Sequence, residues 1–226
     1  MDPLILFHLG ALPISRTVVT TWGLIVVLGA LAVLGTRRMR HAPGPWQSAL
    51  EGVVAAIDDA VHSTLADAPA GLADWIGTLW IFLVVANLTG IVPGLSSPTD
   101  DLSLTAALAL LVFLSVHAFG IRSAGLWAHL RHYAEPSLLL LPFHIVGELT
   151  RTVSLAVRLF GNIMSLEIAA LLVLMVGGLL VPVPLLLLHI VEALVQAYIF
   201  GMLALVYIAG AIQSRRAAIP MTPDTP

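Results

Sequence analysis

The sequence predicts an all-α membrane protein: about five membrane helices plus an interfacial amphipathic helix, with the last two membrane helices long and strongly tilted as a hairpin. Three observations predict it. The chain is 59% hydrophobic and 10% charged, with a mean hydropathy of +1.00, far more apolar than a globular domain. Several stretches reach the roughly 20 apolar residues that a helix needs to cross about 30 Å of hydrocarbon. Two arginines, Arg151 and Arg158, are embedded in the longest of them. The chain has no cysteine, which removes disulfide and thiol chemistry. Its net charge of -3 is too small to argue for nucleic acid.

Residues 1–16 form an outer N-terminal segment; Asp2 and Pro3 stand where a secretory leader would be basic, so the segment is read as part of the mature chain. The first membrane helix, 17–36, ends in Arg37, Arg38, Met39, Arg40 and His41. By the positive-inside rule that end is cytoplasmic and the N-terminus lies outside. Over 45–67, Trp46, Leu50, Val53, Val54, Ile57 and Val61 share one helical face, which reads as an interfacial amphipathic helix. The plainer alternative is a solvated loop helix.

A pair of membrane helices, 74–93 and 102–121, is joined by the outer turn GLSSPTDDLS and followed on the inner side by Arg122 and Arg131. From 137 to 181 the chain stays apolar for about 45 residues, roughly 65 Å as one helix, too long for a perpendicular span. Strong tilt resolves this better than a break, since no proline interrupts the segment after Pro142. Pro182 and Pro184 turn the chain into a last helix, completing the hairpin 137–212. Arg215 and Arg216 then open a cytoplasmic tail, 213–226.

Of the ten arginines, seven fall on inner segments and Arg16 on the outer side, leaving Arg151 and Arg158 inside the membrane. A central arginine costs about 2.5 to 3.5 kcal/mol on insertion scales. Glu148, Arg151, Arg158 and Asn162 form one polar stripe at helical spacing. Glu148 and Arg151 read most simply as an inner-side salt bridge. Arg158, about 10 Å further along, has no well-placed acid on its own helix, and its natural partner is a carboxylate of another subunit.

Glu167 falls nine residues on, toward the opposite face. On the last helix His189, Glu192 and Gln196 make a second polar face. Glu and His together in hydrocarbon mark ion paths. A hydrogen-bonded core histidine is the bland alternative. A metal site has little support, because no H-E-x-x-H is present.

The run SLAVRLFGNIMSLE, residues 154–167, resembles the signature of subunit a of F-type ATP synthases: Arg158 before Leu159, Phe160, Gly161 and Asn162, with Glu167 nine residues on. The likeness extends to LLLHIVEALVQAYIFGMLALVYI, NLTGIVPG, PTDDLSLTAALAL and TRRMRHAPGPWQ, so it covers about 20–212. It departs at Thr152, where proline is common, at the paired Asp100 and Asp101, and in keeping Glu167, His189 and Glu192 together.

The resemblance implies an ion-translocating stator subunit, itself non-catalytic and without a cofactor; the short chain with no transit peptide reads as bacterial, which puts it in an inner membrane. Its partners would be a ring of c subunits, peripheral-stalk b subunits and lipid. Arg158 would face the ring between two half-channels. Glu167, His189, Glu192, Gln196, Asn162, Asp100 and Asp101 would serve the outer one, Glu148 and Arg151 the inner. Leu155 and Leu159, beside Arg158, are where an introduced cysteine would be expected to report on the ring. The rival class is a secondary transporter with a buried Arg/Glu/His relay, which would commonly show internal repeats; none is evident between the chain's halves. An intramembrane protease lacks its motifs.

Overall fold

The computed structural model describes residues 5–9, 12–37, 44–92, 95, 97–125, 141–177 and 183–216. The expectations placed on Arg38, Arg40, His41, Arg131, Pro182 and the end of the tail lie outside the described residues.

The chain opens with a short antiparallel hairpin, β1 (Ile5–Leu9) and β2 (Leu12–Ser15), in which Leu9 pairs with Leu12. It adds a small β element to an otherwise helical protein. Two short extended runs meeting at a glycine are a hairpin signal that a reading tuned to helical spans passes over.

Helix α1 (Arg16–Thr36) follows directly, then α2 (Pro45–Thr64), α3 (Leu72–Leu88) with a 3-10 turn at Thr89–Ile91, and a second 3-10 turn at Pro98–Asp100. Next come α4 (Leu102–Ala124), α5 (Leu141–Gly177) and α6 (Val183–Arg216). All but α2 are long and apolar enough to cross a membrane, so the protein is multi-pass. Pro45 starts α2 and Pro142 lies in the first turn of α5, positions where the missing N–H costs nothing. Helix α5 runs 37 residues without interruption, about 55 Å.

Helix α6 is the central column. Half of its apolar span is buried, against none of that of α1. The residues it turns inward include Ala193, Ala197, Gly201 and Ala204, a run of small residues that lets neighbouring helix backbones come close. Helix α3 uses this: Trp80 covers Gly201, stacks on Tyr198 at 5.9 Å and donates from Nε1 to the Tyr198 carbonyl at 3.3 Å. Leu72, Ile76, Leu79 and Leu83 of α3, Leu108 and Val112 of α4, Leu155 and Leu159 of α5, and Phe200, Leu205, Ile208 and Ile212 of α6 form the common core.

The apolar stripe on α2 is divided. Val61 is buried and Ile57 closes on Gly77 of α3, while Trp46, Leu50, Val53 and Val54 stay at least half exposed. Helices α1, α5 and α6 likewise keep long exposed apolar faces, as surfaces bathed in lipid or covered by another subunit do.

Candidate functional site

Arg158 stands on α5 at the border between two stripes. Leu155, Leu159 and Ile163 turn into the bundle and are 2% exposed or less, whereas Ser154, Val157, Gly161 and Ser165 face outward. Arg158 is exposed, and no ion pair or hydrogen bond joins it to another of the described residues. At 3.6 residues per turn, Leu155 and Leu159 fall on the bundle side of it. A cysteine at either would therefore probe the core; Ser154 and Ser165 are the reporters of the outer face.

One turn on, Asn162 points toward α6, and its Nδ2 donates to Oε1 of Gln196 at 2.7 Å. Gln196 is 2% exposed and its Nε2 meets no hydrogen-bond partner among the described residues, so a buried donor stands open next to Asn162. Buried polar atoms rarely go unpaired in native proteins.

Further along α6, the His189 ring nitrogen Nε2 lies 3.3 Å from the carbonyl oxygen of Asn87. A carbonyl only accepts, so this nitrogen carries the proton. The Asn87 side chain, fully buried, donates to the Ala193 carbonyl at 3.2 Å and accepts from the Thr99 hydroxyl at 2.8 Å. Thr99 in turn lies 2.7 Å from the Ser97 hydroxyl, which donates to the Ala86 carbonyl at 2.9 Å. The end of α3, the turn before α4 and the polar face of α6 are thus one hydrogen-bonded unit. Glu192, half-buried, follows His189 by one turn on α6. Glu167 belongs to α5, and its side chain lies outside the described set.

Asn87, Ser97 and Thr99 were not singled out as site residues by sequence reasoning. The signal was present: an asparagine inside an apolar span needs a partner, and the turn 96–99 offers hydroxyls.

Asp101 caps α4, its Oδ1 accepting from the Ser103 amide at 2.9 Å and the Ser103 hydroxyl at 2.6 Å. Partial burial pushes its carboxyl up, but the hydrogen bonds from Ser103 and from the Thr17 side chain outweigh that and hold it below the ordinary value. The Thr17 contact also ties α1 to this turn. Asp100 precedes it, half-buried, in the 3-10 turn.

At the opposite end of α4, Glu148 and Arg151, expected as an edge pair, each reach another helix. Glu148 Oε2 lies 3.4 Å from Nε2 of His117 on α4, and the Arg151 guanidinium lies 4.4 Å over the Tyr207 ring of α6, a cation–π contact. His117 and Tyr207 did not figure in the sequence reading, though a lone histidine in an apolar span is itself a signal. Among the described residues no three His, Asp or Glu side chains converge to hold a metal.

Comparison with known proteins places these features in a family. The pattern of the ATP synthase A chain family matches residues 18–209. The chain is 63% identical over 212 residues to ATP synthase subunit a 2 of Pelobacter propionicus, covering 94% of this chain and 93% of that one. It is 59% identical to ATP synthase subunit a 1 of Hahella chejuensis, covering 91% and 88%. It is 52% identical to ATP synthase subunit a of Legionella pneumophila, covering 92% and 91%.

Proposed function

Because the chain belongs to the ATP synthase A chain family, a membrane-sector component of the complex and not its catalytic subunit, we propose that it passes ions through two half-channels onto and off a rotating ring of c subunits. In this reading Arg158 faces the ring and separates the two paths. It attracts the deprotonated ring carboxylate, which leaves as the next one arrives. An arginine suits the task because it stays charged when poorly solvated. Each elementary charge moved down about 100 mV yields roughly 2.3 kcal/mol, which rotation delivers to the catalytic head.

The observation that carries the reading is Arg158 itself: an exposed cation on a membrane helix, without a counter-ion among the described residues. Such a group calls for a partner from outside the subunit. The buried unit of Asn87, Thr99 and His189, with Gln196, Asn162, Glu192 and Glu167, supports an outer half-channel entered past Asp100 and Asp101. Glu148 and Arg151 support an inner one. Arginines at the helix ends favour an outside N-terminus and a cytoplasmic C-terminus in a bacterial inner membrane. The exposed apolar stripe of α2 suits the membrane interface, and the exposed faces of α1 suit lipid or the peripheral-stalk b subunits.

Arg158→Ala is expected to abolish ion-driven ATP synthesis while the complex still assembles. Normal synthesis in that variant overturns the proposal. Ser154→Cys, in a chain with no native cysteine, is expected to crosslink to a c subunit carrying a cysteine near its carboxylate.

A further inference from the structure

Asp101 has its backbone and its carboxylate both engaged. Its amide donates to the Pro98 carbonyl at 3.4 Å, closing the 3-10 turn, and its carbonyl accepts from the Thr105 amide at 3.2 Å, opening α4. Side-chain Oδ1 accepts from the Ser103 amide at 2.9 Å and from the Ser103 hydroxyl at 2.6 Å, and the carboxylate also accepts from the Thr17 side chain on α1.

A carboxylate held this way takes up a proton only at a loss. An amide has no choice but to donate, so a proton added to the carboxyl turns an acceptor into a donor among donors. Partial burial pushes the group up, yet the bonds from Ser103 and Thr17 outweigh it and keep the carboxyl below its ordinary value. A group that relays protons must gain and lose one near ambient pH. Asp101 is poorly built for that work, whatever its place at the turn suggests.

What the bonds do is join elements. The apolar span of α1 lies outside the bundle, with none of it buried, and the β1–β2 hairpin runs straight into it at Arg16. The Thr17 bond to Asp101 ties the start of that helix to the turn before α4. The turn, Pro98–Asp100, packs in its own right against α1, α3 and α5, and its Thr99 donates to Asn87. One carboxylate therefore links an outlying helix to the segment that roofs the buried polar unit. Arg16 and Asp100 precede the two ends of the link along the chain, and His189 lies beyond it through Thr99 and Asn87.

We propose that Asp101 is a positioning residue, a clasp that fixes α1 and its hairpin to the turn at the outer mouth of the ion path, and that it carries no proton itself. The proposal rests on reading Arg158 as the ion-transfer arginine and this end of the bundle as the outer one.

The test uses the assembled complex in vesicles, measuring coupled synthesis while pH is varied on the outer side only, from about 5 to 8. Asp101→Asn cannot titrate, but its amide oxygen still accepts from Ser103 and its Nδ2 can donate to the Thr17 hydroxyl, which accepts as readily as it donates. It is expected to lose less than about tenfold in synthesis and to keep the outer-side pH profile, whereas removal of a proton-transfer group costs about 100-fold or more. A loss beyond about tenfold, or a displaced outer-side profile, in complexes with normal amounts of the subunit overturns the proposal. If Asp101→Asn does not assemble, Asp101→Ser decides, because serine also caps a helix: assembly with retained synthesis supports the clasp, and failure overturns it. The clasp itself is read from the thermal midpoint for loss of the subunit from the solubilised complex. Asp101→Ala and Thr17→Val are each expected to lower it, and together to lower it by less than the sum, since they share a bond; strict additivity overturns the clasp. Arg158→Ala, run in parallel, separates the two readings. Coupled synthesis surviving in it means that the ion-transfer reading has failed, whatever Asp101 does.

Discussion

Replacing Asn87 with leucine tests whether the buried unit between α3, the outer turn and α6 acts as one piece. The side chain is fully buried and makes two bonds, from Nδ2 to the Ala193 carbonyl and at Oδ1 from Thr99. Leucine has the same number of side-chain heavy atoms branched at the same carbon, which makes it the nearest apolar match in shape and leaves no cavity. Neither partner is stranded outright. Ala193 keeps its place in the α6 helical ladder, and the Thr99 hydroxyl can turn its proton to Ser97, 2.7 Å away, which itself donates to Ala86. The cost is then two net hydrogen bonds, about 2 kcal/mol in all. Thr99→Val alone deprives the buried Oδ1 of its donor, at about 1 to 3 kcal/mol. Because the two changes share that bond, the double variant is expected to fall short of their sum by about 1 kcal/mol. The assay is the thermal midpoint for loss of the subunit from the solubilised complex, measured for both single variants and the double. Strict additivity would refute the reasoning, since it would mean that Asn87 and Thr99 do not share a bond.

Gly201→Ala places a methyl group on the indole of Trp80; overpacking costs about 1 to 3 kcal/mol, and Gly201→Ala combined with Trp80→Phe should recover part of the lost assembly yield. Asp101 has its carboxyl held below the ordinary value, so its contribution is full above the unfolded value near 3.9 and fades as pH falls through the folded one; Asp101→Ala should lose about 1 kcal/mol of capping at neutral pH and show a flatter acid limb in melting experiments. A chain keeping Trp46 as its sole tryptophan should show fluorescence quenched by brominated lipid, because the residue is 84% exposed on the apolar stripe of α2; unquenched emission would return α2 to a solvated loop helix.

The five long apolar helices were legible because hydrocarbon leaves the backbone few alternatives, and apolar length is the strongest pattern a sequence carries. Arg158, Asn162 and Gln196 were legible for the converse reason, polar groups being costly where they stand. What could not be read is which helix each polar group meets. Spacing along α5 puts Glu148 beside Arg151, yet Glu148 finds His117 and Arg151 finds Tyr207, pairings set by how α4 and α6 pack against α5. The same limit misplaced Leu155 and Leu159: nearness to Arg158 in sequence does not say which flank of the helix the bundle covers. The hairpin of β1 and β2 escaped because its strands are short and make no repeated pattern.

Gly161 carries the argument for a partner one step beyond Arg158. It is exposed in the middle of α5, and a Cβ built there would meet nothing within 4 Å. Among the described residues nothing packs against this position to call for a glycine, which costs a helix interior about 1 kcal/mol relative to alanine. On the proposed reading the requirement lies with the ring: a missing side chain three residues from an exposed arginine leaves a notch for a second helix to approach closely. Gly161→Ala should leave the subunit's fold intact while lowering coupled synthesis. Gly161→Leu should nearly abolish synthesis and reduce the crosslink from Ser154→Cys, both measured in complexes with normal amounts of the subunit. Full coupling in Gly161→Leu would mean that no helix comes near this face, and the ring would have to meet the chain elsewhere.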